Sequence, residues 1–214
     1  MNHIDSNRYS RLIVGLFLCS LGTAFSLHAG MGLSPWSVFH QGLSATFGIS
    51  FGQASIITGA AVIILSSSMG LDVGAGTILN MILTGVFVDV FEYFGMMPDA
   101  MNLSQGTMMI LISILFNAIG SYFYMGCEMG CGPRDGLMSI LTCKIRLPVG
   151  LVRFMIEGSV LLTGKLMGGQ VGPGTVLYVA GIGIFVNVVY SSLNFDVKRL
   201  HHQSIREIIQ GGKA

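Results

Sequence analysis

Charged side chains are scarce in this 214-residue sequence, and several residues that could do chemistry gather beside glycine and proline. Arg134 and Asp135 directly follow Gly132-Pro133, and Ser34, Trp36 and Ser37 surround Pro35 in a related segment. A proline that opens a helix leaves unpaired backbone N–H groups at its start, where the helix dipole attracts anions. A cation beside such a terminus would hold an anionic group of a solute, and an indole would stack on it. The alternative is that Arg134 and Asp135 cap a short helix at the membrane interface. Arg153 and Glu157 are spaced i, i+4 and share one helix face. They either contact a substrate or neutralise each other and lock helix packing. The substrate-binding candidates are therefore Arg134, Asp135, Ser34, Trp36, Ser37, Arg153 and Glu157. Glu157 and Asp89, carboxylates within apolar stretches, are the candidates for proton coupling, with an interfacial role the alternative for Asp89 and its neighbour Glu92.

Other patterns carry less. Gly48-Ile49-Ser50-Phe51-Gly52 fits G-x-S-x-G, but a nucleophile elbow needs a strand–turn–helix setting and a positioned His. Cys127, Cys131 and Cys143 beside Glu128 have the donor types for a metal, yet cysteine is also a common small buried residue. His28 and His40 read as packing or interfacial residues. No metal, no cofactor and no catalytic residue is expected, and the chain reads as a non-enzyme.

The elements that position these groups lie in a membrane. The sequence is 52% hydrophobic and only 10% charged, with mean hydropathy +0.73; a soluble domain carries about 25% charged residues. From Leu12 to Leu71 there is no Asp, Glu, Lys or Arg, room for two or three spans at about 20 residues each. A soluble, disordered or nucleic-acid-binding protein is excluded, and the lipid bilayer is the first partner. Arg8 and Arg11 before the run Leu12 to Leu27 resemble a signal peptide, but no clean cleavage site follows and the run reads as the first helix. Leu16-Phe17-Leu18 before Cys19 lacks the small residue of a lipoprotein signal.

An internal repeat organises the chain. Shifted by 98 residues without gaps, residues 22–90 superimpose on 120–188 with 19 identities in 69 positions. Two apolar segments paired at random would match Leu, Ile and Val; here the matches include an ordered series of glycines and a proline. Gly32 pairs with Gly130, Pro35 with Pro133, Gly52 with Gly150, and Gly74-x-Gly76-Thr77 with Gly172-x-Gly174-Thr175. Each half predicts a long helix (11–28; 109–126), a break (Gly30, Gly32 and Pro35; Gly130, Gly132 and Pro133), a short helix (35–47; 133–146) and two further long helices (51–69 and 75–95; 149–167 and 173–193). The Gly-x-Gly-Thr segments are assigned to tight turns and close helix contact.

Thirteen residues rise about 20 Å against an apolar core of about 30 Å, so the short helices read as re-entrant. The fold class is then an all-α polytopic membrane protein of two homologous repeats, inverted with 3+3 spans, the alternative being 4+4 parallel. The positive-inside rule favours inversion with both termini cytoplasmic. Arg8, Arg11, Lys144, Arg146, Lys198, Arg199, Arg206 and Lys213 then fall inside, and only Lys165 outside. The expected units are a first membrane repeat (1–97), an extracellular linker (98–106), a second repeat (107–196) and a cytoplasmic amphipathic tail (197–214).

The run Ala29-Gly30-Met31-Gly32-Leu33-Ser34-Pro35-Trp36-Ser37-Val38 resembles the YczE/YyaS/YitT family of bacterial integral membrane proteins, whose members commonly carry a GxGxSPWD-like segment there. Gly130-Cys131-Gly132-Pro133-Arg134-Asp135 and the span pattern extend the resemblance over nearly the whole chain. Ser37 stands where an acidic residue is usual, and Asp135 occupies the mate position. The resemblance implies a bacterial inner-membrane location without a settled activity, and links to export or secondary-metabolite production. Two functions follow as expectations: a small secondary transporter or exporter of a small organic solute with alternating access between its repeats, or a non-transporting regulator or scaffold for another enzyme system. A homodimer is left open, and no nucleic-acid partner is expected.

Overall fold

The computed structural model describes residues 3–195, and the expected amphipathic tail lies outside the described residues. These form eight helices: α1 (His3–His28), α2 (Pro35–Phe47), α3 (Phe51–Ser68), α4 (Ala75–Tyr93), α5 (Leu103–Met125), α6 (Pro133–Ile145), α7 (Val149–Leu166) and α8 (Pro173–Ser192). The boundaries of α2, α3 and α4 recur 98 residues later, to within a residue, in α6, α7 and α8. The left-handed turns recur too: Gly32 and Gly130 (φ 96° and 116°), Gly70 and Gly168 (φ 99° and 95°).

Local chemistry sets the ends. Ser34 accepts from Ser37 N ahead of Pro35, and left-handed Gly48 closes the other end of α2. Ser50 and Gln53 form a reciprocal capping box on α3. Asn102 accepts from Gln105 N, so α5 begins inside the stretch expected to be linker. The polar Ser104 and Gln105 look like loop but are the first turn of a capped helix.

Five helices, α1, α3, α4, α5 and α8, are long and apolar enough to cross a membrane, which makes this an all-α, multi-spanning membrane protein. The sequence expectation was six. The sixth, α7, has the 18 residues of α3 but carries Arg153, Glu157 and Lys165. The outside is apolar, with Ile64, Phe154, Leu162, Val176 and Ile184 more than half exposed, whereas Ser20, Ser66 and Ser113 are fully buried. Lipid reverses the usual pattern, since apolar side chains need no burial there and polar ones do.

The halves are clasped crosswise. Gly76 N donates to Met129 O at 2.7 Å, and its mate Gly174 N donates to Met31 O at 2.8 Å. Each break thus holds the start of the other half's last helix. The Gly-x-Gly-Thr segments make this contact, while the tight turning falls to Gly70 and Gly168. Down the centre α1 packs on its repeat mate α5. Gly15 meets Gly120 and Tyr124, Gly22 meets Ser113 and Asn117, and Met31 meets Gly106; as one index rises the other falls, so the two run antiparallel. Similarly α2 packs on α7, and α6 on α3.

The short helix α2 does not take the chain from one end of the bundle to the other. His28, ending α1, bonds Glu92 and Asp99, while Ser50, starting α3, bonds Asp89, one turn from Glu92. Hence α2 leaves and returns at one end of the bundle.

Candidate functional site

Between the two breaks lies a cavity of about 390 Å³. Trp36 reaches it from the start of α2, and Arg134 and Asp135 from the start of α6; α4 supplies Asn80 and Thr84, and α5 supplies Asn117, Ser121 and Tyr124. One side is closed by Arg153 and Glu157 of α7 with Tyr178, Ile182 and Tyr190 of α8. Proline after glycine fixes where α6 begins, which aims its first side chains inward.

The two breaks meet at Arg134, whose guanidinium carbon sits 5.7 Å from the centre of the Trp36 ring. This is cation–π range, made between repeat mates. Trp36 is only 6% exposed, so the platform under the cation is rigid. Among the described residues no carboxylate lies within ion-pair distance of Arg134. Its neighbour Asp135 accepts from Tyr124 Oη at 2.9 Å. Arg153 Nε donates to Glu157 Oε1 at 2.9 Å, so that pair is neutralised within α7. Among the described residues the cavity therefore offers a partnered carboxylate, a self-paired ion pair and one cation with its donors unspent.

Of the residues expected from sequence, Arg134, Asp135, Ser34, Trp36, Arg153 and Glu157 all line this cavity. Ser37 is buried behind Ser34, bonded to its hydroxyl at 2.8 Å. Asp89 lies away from the cavity wall, accepting from Ser50 Oγ and from Gly52 N. Sequence reasoning missed Asn80, Asn117, Tyr124 and Tyr178. The two asparagines had a readable signal, since an amide in an apolar helix needs a partner or a polar cavity. The tyrosines had none, because an interfacial or packed tyrosine looks the same.

Cys127, buried, donates to Arg8 O and Phe123 O. Burial pushes its thiol above the ordinary range against the pull of Arg11 and Arg8, and burial with the charge of Asp135 does the same for Cys131.

Residues 6–191 match a family described as a family of unknown function (DUF6198). The chain belongs to this family. It is 35% identical over 193 residues to an uncharacterized protein of Haemophilus influenzae, covering 90% of this chain and 86% of the relative. It is 31% identical over 181 residues to the uncharacterized membrane protein YczE of Bacillus subtilis, covering 84% and 83%. The uncharacterized protein YyaS of the same organism is 22% identical over 185 residues, covering 85% and 91%. No solved structure matches. The family resemblance drawn from the glycine–proline segments thus holds, and it brings no activity with it.

Proposed function

We propose that this protein is a small secondary transporter of an anionic organic solute, working by alternating access between two oppositely inserted halves. The observation that carries the reading is Arg134, a cation with unspent donors held over Trp36 at the start of a broken helix and facing a 390 Å³ cavity. Such a cavity suits a small molecule, and arginine suits a carboxylate or phosphate. Asp135 and Glu157 would meet a hydroxyl or amine on the same solute, and a proton on Glu157 or Asp89 would couple its movement. The antiparallel run of α1 against α5 supports inversion, since repeat mates that run oppositely place their halves oppositely. In this reading α7 is the sixth span, its ion pair tolerated because Arg153 and Glu157 face the cavity. Inverted repeats with broken helices place binding sites at the repeat interface, where this cavity lies. The family resemblance supports an inner-membrane location, and the distribution of basic residues supports cytoplasmic termini.

The test is a thermal-shift screen of the purified protein against small carboxylates, phosphates and sulfates, repeated with Arg134→Gln. Stabilisation by one class, lost in the variant, supports the reading, and flux of that compound into proteoliposomes completes it. No stabilisation by any class, or an equal one in Arg134→Gln, rejects it in favour of a scaffold or regulator.

A further inference from the structure

A second, much smaller cavity of about 40 Å³ lies between α3 and α4. Its wall is the repeat image of the large one. Ser55, Thr58, Gly59 and Met81 line the small cavity where their mates Arg153, Ile156, Glu157 and Val179 line the large one. Apart from Val62, the remaining wall residues follow the same 98-residue shift. Trp36 and Arg134, mates of one another, belong to both walls. The molecule therefore holds one cavity twice, once expanded and once collapsed.

The helix seams over the two cavities differ in the same sense. Along α3 and α4, Gly52 and Gly85 are buried with their backbones in contact: a Cβ on Gly85 would stand 2.7 Å from Gly52 O, and one on Gly52 would collide with Gly85 O. The mates Gly150 and Gly183 are exposed, and a Cβ on either meets nothing within 4 Å. Thus α3 packs along α4 whereas α7 and α8 form no such seam. A glycine pair costs helix stability and is useful only where backbones approach closely, which the second half does not do here. The asymmetry has a cause in side chains. Asp89 locks the first seam through Ser50 Oγ and Gly52 N. The image positions hold Asn187, Pro148 and Gly150, an uncharged acceptor with only one of the two donors. The first seam is the more stable when shut, so it is the one found shut.

We propose that the small cavity is a second, collapsed binding site for the same anionic solute, and that the two cavities open in turn as the Gly52–Gly85 and Gly150–Gly183 seams exchange contact. Arg134 serves both, so the anionic group stays in place while the wall facing the rest of the solute changes. That wall is Arg153 and Glu157 in one state and the hydroxyls of Ser55 and Thr58 in the other. Closing the second seam buries Glu157 together with Arg153, its hydrogen-bonded partner, so no lone charge is desolvated. This inference rests on the transporter reading for its purpose, but its test reads motion alone.

The test uses the full chain in liposomes, with Cys19, Cys127, Cys131 and Cys143 replaced by serine. A Cβ on Gly59 would stand 3.4 Å from Met81 Cβ across the shut first seam, close to the spacing a disulfide needs. The pair introduced is the image of these two, Glu157→Cys/Val179→Cys, with Arg153→Ser so that no lone charge is left. Copper–phenanthroline is applied, and the free thiols left are counted by intact mass after maleimide treatment. The control pair is Gly59→Cys/Met81→Cys. Exchange of the seams predicts loss of both thiols in both pairs. Adding Asp89→Asn, which weakens the first lock, is expected to speed the Glu157→Cys/Val179→Cys reaction several-fold and not to speed the control. Retention of both thiols by the Glu157→Cys/Val179→Cys pair while the control reacts overturns the proposal. So does a Glu157→Cys/Val179→Cys rate that Asp89→Asn leaves unaltered. Either result would stand independently of whether Arg134 binds anions in the thermal-shift screen.

Discussion

Removing the Asp89 carboxylate cuts the two hydrogen bonds that tie the start of α3 to α4, from Ser50 Oγ and from Gly52 N at 2.7 Å. Hydrogen bonds to a charged group contribute about 1.5–3 kcal/mol each. Asp89 is half-buried, so the lower end applies, and Asp89→Ala is expected to cost about 3 kcal/mol. Asp89→Asn keeps an oxygen for Gly52 N and gives up the charge, for a loss of about 1–1.5 kcal/mol. The repeat supplies an internal control. Asn187, the mate of Asp89, accepts one bond from Ser191 Oγ at 3.4 Å in an exposed setting. Asn187→Ala is therefore expected to cost less than about 0.5 kcal/mol. The assay is reversible unfolding in mixed micelles with a rising fraction of sodium dodecyl sulfate, followed by fluorescence of Trp36, the sole tryptophan. Equal losses at 89 and 187, or a larger one at 187, would refute the assignment of Asp89 as the lock.

The break glycines divide by their surroundings. Gly32→Ala places a Cβ against Gly172 N and Thr175 Oγ1 at φ 96°, an overpacking cost of about 1–3 kcal/mol on top of about 1 for the left-handed backbone. Gly30→Ala, at φ 63° with nothing within 4 Å, should lose only about 1 kcal/mol; thermal midpoints in detergent compare the two. The thiolate is the reactive form of cysteine, and a raised folded-state value makes it scarcer at a given pH. Cys127 and Cys131, in a chain with Cys19 and Cys143 replaced, should thus label slowly with a maleimide and still gain rate above about pH 8.5, where an ordinary thiol is half ionised. A plateau below that pH contradicts the burial argument. Finally, Asn102→Cys in a background without native cysteines should react with a membrane-impermeant reagent in intact cells. Labelling only after lysis would withdraw the inverted arrangement of the halves.

Much of this protein is local in origin and was legible in the sequence. The 98-residue repeat, the helix boundaries and the breaks rest on glycine and proline, whose backbone restrictions act within a few residues. The gathering of Arg134, Trp36, Arg153 and Glu157 at one cavity was foreseeable, because charge inside an apolar segment has nowhere else to go. The count of spans differs: α7 has the length of α3, but its charges leave five helices long and apolar enough to cross a membrane. The linker was misjudged at its far end, where the Asn102 cap outweighs the polar residues after it.

What the sequence determined by itself is the inventory: an all-α membrane protein of two related halves, each broken at a glycine–proline segment. Only the tertiary structure decided which seams are shut, that Trp36 lies under its own repeat mate Arg134, and that Tyr124 holds Asp135. The physical reason is the solvent. Helices apolar around most of their surface carry no stripe that names a packing partner, and lipid supplies little hydrophobic force to select one. The choice falls to close glycine contacts and to polar pairs such as Asp89 with Ser50 and Gly52. Those join residues far apart in the chain, and a repeat that writes the same glycines twice cannot say which copy is closed.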